Sequence, residues 1–102
     1  MYNKGLHILC EIETEVEQKL NSVLQWQSFI AEILKEFSLQ QVGEVIHEFE
    51  NHSYTAVHCL SESHIAVHTW PEFKIVTFDV FLCSYRNDNT EKVEQVAIKI
   101  RD

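Results

Sequence analysis

An α+β fold, a two-layer α/β sandwich whose mainly antiparallel sheet carries two helices on one face, is predicted by three features of the chain. Apolar residues recur at spacings of three and four between Trp26 and Phe37, which makes one helical stripe. Four β-rich runs with short connections follow it, the pattern of an antiparallel meander. A second, narrower helical stripe comes last.

The elements follow in order. Residues 5–13 begin apolar and thin into alternation, which reads as a first strand. Asn21 is a good N-cap, and from it Trp26, Phe29, Ile30, Ile33, Leu34 and Phe37 fall on one helix face. Thr14 and Glu17 match a capping box and offer an earlier start, which the β-branched Val16 and the polar residues 17–19 disfavour. Strands are predicted over 42–50, 54–61, 64–70 and 73–83. In the last of these Phe73, Ile75, Thr77, Asp79 and Phe81 alternate with Val76, Phe78, Val80 and Leu82. Asn87, Asp88, Asn89 and Thr90 read as a turn into a final helix with Val93, Val96, Ala97 and Ile100 on its apolar face.

Composition narrows the function. A chain of 102 residues makes a single domain, 1–102, with no room for a second core, so any site must share the core or an oligomer interface. Eight Lys and Arg against sixteen Asp and Glu leave a formal charge of -8, which disfavours nucleic acid as a partner. No apolar stretch approaches about 18 residues and no secretory leader pattern is visible, so no membrane is implied and a cytoplasmic location is expected. Cys10, Cys59 and Cys83 are odd in number, lack metal-knuckle spacing and read as reduced thiols. His7, His47, His52, His58 and His64 share no ligand spacing, and a metal site would need strand pairing to assemble it, so none is expected.

The segment 61–72, Ser-Glu-Ser-His-Ile-Ala-Val-His-Thr-Trp-Pro-Glu, holds the only Pro of the chain and is followed by Cys83. This block resembles the pyruvoyl-dependent S-adenosylmethionine decarboxylase family of the bacterial and archaeal type. The likeness runs from Gly5 and His7 through Phe49 to about Ser84. A decarboxylation leaves a carbanion, and a ketone built into the protein can serve as the electron sink that no ordinary side chain provides. The resemblance implies that the Ser63 hydroxyl attacks the Glu62 carbonyl, that the resulting ester eliminates, and that a pyruvoyl cofactor derived from Ser63 remains. The products would be a β chain of residues 1–62 and an α chain of residues 63–102. By the same resemblance His68 is the base that removes the Ser63 α-proton, and its ordinary pKa of about 6.5 suits that work. Cys83 is the proton donor to the product carbon and also assists processing, Thr55 supports processing, and Phe49 and Glu72 hold the adenine ring and the ribose hydroxyls. In isolation, His68 and Cys83 would more simply be a core imidazole and a small buried hydrophobe.

Several positions depart from the family pattern. Asn51, Ser53 and Ala56 stand where a Pro and two glycines are usual, and Lys74 and Ser84 stand where glycines are usual. The implied function is decarboxylation of S-adenosylmethionine to the aminopropyl donor of spermidine synthesis, by a homodimer of cleaved protomers. Two alternatives stay open. One is pyruvoyl-dependent decarboxylation of ornithine or arginine; the other is a paralogue that no longer cleaves and serves as a binding or regulatory subunit.

Overall fold

A computed structural model of the chain describes residues 6–83 and 89–101, apart from the side chains of residues 17 and 18. The elements run β1 (Leu6–Glu13), α1 (Glu17–Asn21), α2 (Val23–Glu36), β2 (Gln41–Glu48), β3 (Tyr54–Leu60), β4 (His64–Trp70), a 3-10 turn (Pro71–Phe73), β5 (Ile75–Leu82) and α3 (Thr90–Arg101). The strands form one sheet in the order β1-β5-β4-β3-β2, with every pair antiparallel. This is the predicted two-layer α+β sandwich. Gly5, Ser84, Asn87 and Asp88 lie outside the described residues.

Local chemistry moves three predicted boundaries. Asn21 ends α1, and Ser22 rather than Asn21 caps α2, its Oγ accepting from the Gln25 N–H at 3.1 Å while its own backbone is extended. Thr14 does not form the capping box; its hydroxyl oxygen accepts from the Val16 N–H instead, two residues on. β2 stops at Glu48, because the chain turns where the Phe49 N–H meets the Ser53 carbonyl and the His52 N–H meets the Phe49 carbonyl. Phe49 is therefore a turn residue. Likewise Pro71 opens a 3-10 turn, which takes Phe73 out of the last strand.

The period-2 alternation sorts the sheet into two faces. Tyr54, Ala56 and Leu60, Ile65 and Val67, and Phe78, Val80 and Leu82 pack in one core with Trp26, Ile30 and Ile33 of α2 and Val93, Val96, Ala97 and Ile100 of α3. Ile65, Val67 and Val80 have no exposed surface, so truncating Ile65 to Ala costs about 2–5 kcal/mol. One imidazole shares this layer. His58 is fully buried, its Nε2 accepting from Trp26 Nε1 at 2.8 Å and its Nδ1 paired with Gln41 Oε1 at 2.9 Å. Burial pushes the His58 pKa below its ordinary 6.5, opposed by the Glu44 carboxylate.

Among the described residues the other sheet face carries no helix. It presents His7, Leu9, Val45, Thr55, His64, His68, Trp70, Asp79 and Phe81, and Leu9 and Val45 remain 72% and 69% exposed.

Candidate active site

Ser63 ends the short turn between β3 and β4. Reciprocal backbone bonds close that turn, Leu60 N–H to the Ser63 carbonyl at 2.9 Å and Ser63 N–H to the Leu60 carbonyl at a long 3.5 Å. Glu62, on the N-terminal side of the bond in question, is exposed, whereas Ser63 is half-buried. The Ser63 Oγ accepts from the Cys83 backbone N–H at 2.8 Å. Pairing of β4 with β5 makes that contact, because His64 sits opposite Phe81 and so brings the residues just outside both strands together. Cys83 is half-buried and is itself pinned, its carbonyl accepting from Asn89 Nδ2 at 2.7 Å. Ser63 and Cys83, 20 positions apart in sequence, are thus direct neighbours.

The remaining predicted residues gather at the opposite end of β4. Thr55 and His68 are cross-strand partners, with Thr55 Oγ1 and His68 Nδ1 3.0 Å apart. That pairing engages Nδ1 and leaves Nε2 as the ring nitrogen that can face another partner. Just beyond β4, Glu72 stands exposed in the 3-10 turn, and Asn51 Nδ2 donates to its Oε2 at 3.4 Å. Phe49 projects from the adjoining β2–β3 turn, 47% exposed, with its ring edge-on to His47 at 4.5 Å between centroids. An aromatic face, a carboxylate and an imidazole therefore share one rim.

The two groups do not meet within one chain. Ser63 and His68 are five residues apart along an extended strand that rises about 3.3 Å per residue, a separation near 16 Å. Proton transfer requires hydrogen-bond reach. Within one chain the strand keeps His68 away from Ser63: five residues would be close on a helix and are far on a strand. Between the ends runs a shallow depression of the open face lined by Leu9, Glu11, His68, Thr77 and Asp79. A separate cavity of about 220 Å³ lies on the helix side against Trp26, Phe29, Tyr54 and Val67, and none of the predicted site residues lines it.

Asp79 was not foreseen as a site residue. It lies on the open face beside the Ser63 end, with its Oδ1 2.7 Å from His64 Nε2 and 3.6 Å from His7 Nε2. The available signal was a carboxylate amid the apolar residues of β5, on the face opposite Phe78 and Val80.

Comparison with known proteins identifies the relatives of this chain. The family described as S-adenosylmethionine decarboxylase matches residues 6–101. The S-adenosylmethionine decarboxylase proenzyme of Archaeoglobus fulgidus is 33% identical over 91 residues, which span 89% of this chain and 78% of that one. The proenzyme of the same name from Clostridium tetani is 37% identical over 90 residues, 84% of this chain and 68% of that one. The crystal structure of the adenosylmethionine decarboxylase from Aquifex aeolicus superposes with a TM-score of 0.80 at 28% identity, covering 94% of this chain and 76% of that chain. With the match spanning almost every described residue, the chain belongs to the S-adenosylmethionine decarboxylase family of enzymes.

Proposed function

We propose that the chain is a proenzyme that cleaves itself between Glu62 and Ser63, keeps a pyruvoyl group at residue 63, and decarboxylates S-adenosylmethionine to supply the aminopropyl donor of spermidine synthesis. The observation that carries the proposal is the Ser63 hydroxyl, held at 2.8 Å by the Cys83 N–H in a turn whose preceding residue is exposed. The site fits the group it would hold. Cleavage removes the Ser63 nitrogen, and among the described residues that nitrogen makes only the 3.5 Å bond to Leu60. When formed, the pyruvoyl ketone supplies an electron sink for the carbanion left by loss of carbon dioxide.

The chain's own residues account for the remaining steps. The Cys83 N–H steadies the Ser63 oxygen, and the Cys83 thiol can return a proton to the product carbon. Thr55 fixes the His68 ring so that its second nitrogen can take the Ser63 α-proton. Phe49 offers a flat surface to the adenine and Glu72 accepts from the ribose hydroxyls.

Because these groups sit at opposite ends of β4, each complete site takes Ser63 and Cys83 from one copy and Phe49, Thr55, His68 and Glu72 from another. The working form is then a homodimer, with two copies meeting through their open sheet faces. Exposed Leu9, Val45 and Trp70 on that face support this arrangement. Among the described residues no helix is long and apolar enough to cross a membrane, and a cytoplasmic enzyme is in keeping with that.

Mass spectrometry of the purified chain tests the proposal: fragments 1–62 and 63–102 are expected, the second blocked to Edman sequencing. A chain that stays whole on prolonged incubation would overturn it in favour of a binding or regulatory subunit. Labelled carbon dioxide should be released from S-adenosylmethionine but not from ornithine or arginine. Phe49→Ala should weaken substrate binding by about 1–3 kcal/mol, roughly 5- to 150-fold.

A further inference from the structure

Strand pairing assembles a cluster that sequence spacing does not reveal. His7 on β1 and His64 on β4 are both register partners of Phe81, so the two imidazoles flank that residue on the open face. Their rings meet edge-on at 5.4 Å between centroids. Asp79, two residues back along β5, points the same way. One ligand atom from each of His7, His64 and Asp79 lies within 4.8 Å of the other two.

The carboxylate carries the argument. Asp79 Oδ1 is shut off from solvent and, among the described residues, accepts no hydrogen bond. Its 2.7 Å approach to His64 Nε2 does not meet hydrogen-bond geometry. A shielded carboxylate oxygen without a donor is costly, and a cation between the three atoms would satisfy it.

We propose that His7, His64 and Asp79 bind a divalent transition-metal ion of the zinc, cobalt or nickel class. Metal bonds of about 2.0–2.2 Å in a tetrahedral site place the ligand atoms about 3.4 Å apart. The Asp79 distances to His64 and His7, 2.7 and 3.6 Å, fall on either side of that value. Two imidazoles favour such ions over magnesium or calcium, which prefer all-oxygen shells. The His7 side chain is 43% exposed in the single chain, which gives the ion a way in before two copies meet. A corollary rests on the cleavage reading: His7 precedes the Glu62–Ser63 bond while His64 and Asp79 follow it, so the ion would tie the two fragments together. Binding itself does not depend on cleavage.

The test therefore uses the untagged full-length chain carrying Ser63→Ala, freed of metal by a chelator and titrated with cobalt(II). One ion per chain by native mass spectrometry is expected, with visible d–d absorption that zinc abolishes by displacement. Outer-sphere changes at metal sites cost 10- to 100-fold in affinity, so loss of a direct ligand in His7→Gln or Asp79→Asn should cost about 100-fold or more. His7→Gln alters a partly exposed side chain, and circular dichroism verifies its fold. His47→Gln, on the same face but at the far end, should bind as before. Absence of bound cobalt or zinc, preference for magnesium, or undiminished affinity in folded His7→Gln would each overturn the proposal.

Discussion

The two ends of β4 hold their chemistry in different ways. At the Ser63 end, position is set by strand register: Cys83 N–H on the serine oxygen, and His7, His64 and Asp79 on paired strands. At the His68 end, Phe49 and Glu72 ride on turns, and those turns contain His52 and Lys74 with positive φ of 67° and 56°. Register is unforgiving, since a one-residue slip sends every side chain to the other face. Turns can be rebuilt from different residues. The usual Pro and Gly of the β2–β3 turn are replaced by Asn51 and Ser53, and Asn51 Oδ1 accepts from the Ser53 N–H at 3.1 Å and from its hydroxyl at 2.6 Å. Ala56, in place of the other glycine, places its methyl group fully within the core. The departures therefore fall where the fold can absorb them.

The harshest test of the comparison asks whether the two ends act in one chain or across two. Ser63→Ala and His68→Ala should each leave the chain whole when expressed alone. Co-expressed, they form mixed pairs in which Ser63 of the His68→Ala chain faces His68 of the Ser63→Ala chain. Intact-mass analysis should then show fragments from the His68→Ala chain only. If that chain stays whole in the mixture, the two ends do not complete each other.

Within the Ser63 end, the contact to the serine oxygen comes from the Cys83 backbone, not its thiol. Cys83→Ala keeps that N–H and should still yield the two fragments. Release of carbon dioxide by the cleaved variant should fall by about 10²- to 10⁴-fold, the usual worth of a positioned proton donor. Loss of cleavage with the same severity would place the thiol in processing as well.

How much of this was legible beforehand follows the same division. The faces of β5 could be read directly, because Val76, Phe78, Val80 and Leu82 alternate cleanly against their neighbours. The break at Ser22 could not, since Thr14, Asn21 and Ser22 are caps of similar worth, within about 1 kcal/mol, and the docking of α1 by the buried Leu20 decides among them. Ser63 and His68 were singled out within the 61–72 block and Cys83 eleven residues beyond it, yet the separation of Ser63 from His68 was not legible, because five residues say nothing of distance until strand or helix is settled. The His7, His64 and Asp79 cluster depends on which strands are neighbours. Local periodicity does not carry that information.

A milder test addresses the rigid spacer between the ends. His58, midway along β3 on the helix face, anchors α2 through Trp26, and accepting that N–H requires a neutral ring. Burial lowers its pKa from 6.5 with Glu44 opposing, so below that pH the unfolded chain binds the proton more readily than the folded one. Stability should accordingly fall as the pH drops through this value. Melting near pH 7.5 and near pH 5.5 should show a drop on acidification, and a smaller one in His58→Gln, which has no proton to gain. An equal drop in both proteins would assign the pH dependence to other groups.

The smallest expected effect lies at the turn that carries Glu72. Lys74 holds φ 56° and ψ 41° where the family usually has Gly, and its ammonium pairs with Glu15 at 2.9 Å on an exposed surface. Left-handed backbone costs a non-glycine residue about 1–2 kcal/mol, whereas glycine adds about 0.5–1 kcal/mol of chain entropy and forfeits a surface ion pair worth about 0–1 kcal/mol. Lys74→Gly should therefore shift stability by no more than about 1 kcal/mol in denaturant unfolding. Lys74→Val, β-branched and ill suited to this conformation, should lose about 1–3 kcal/mol. Since the Lys74 N–H closes the 3-10 turn onto the Pro71 carbonyl, a shifted backbone there should displace Glu72 and raise KM for S-adenosylmethionine with little change in kcat. An unchanged KM in Lys74→Val would mean that Glu72 is held by Asn51 across the rim and not by its own turn.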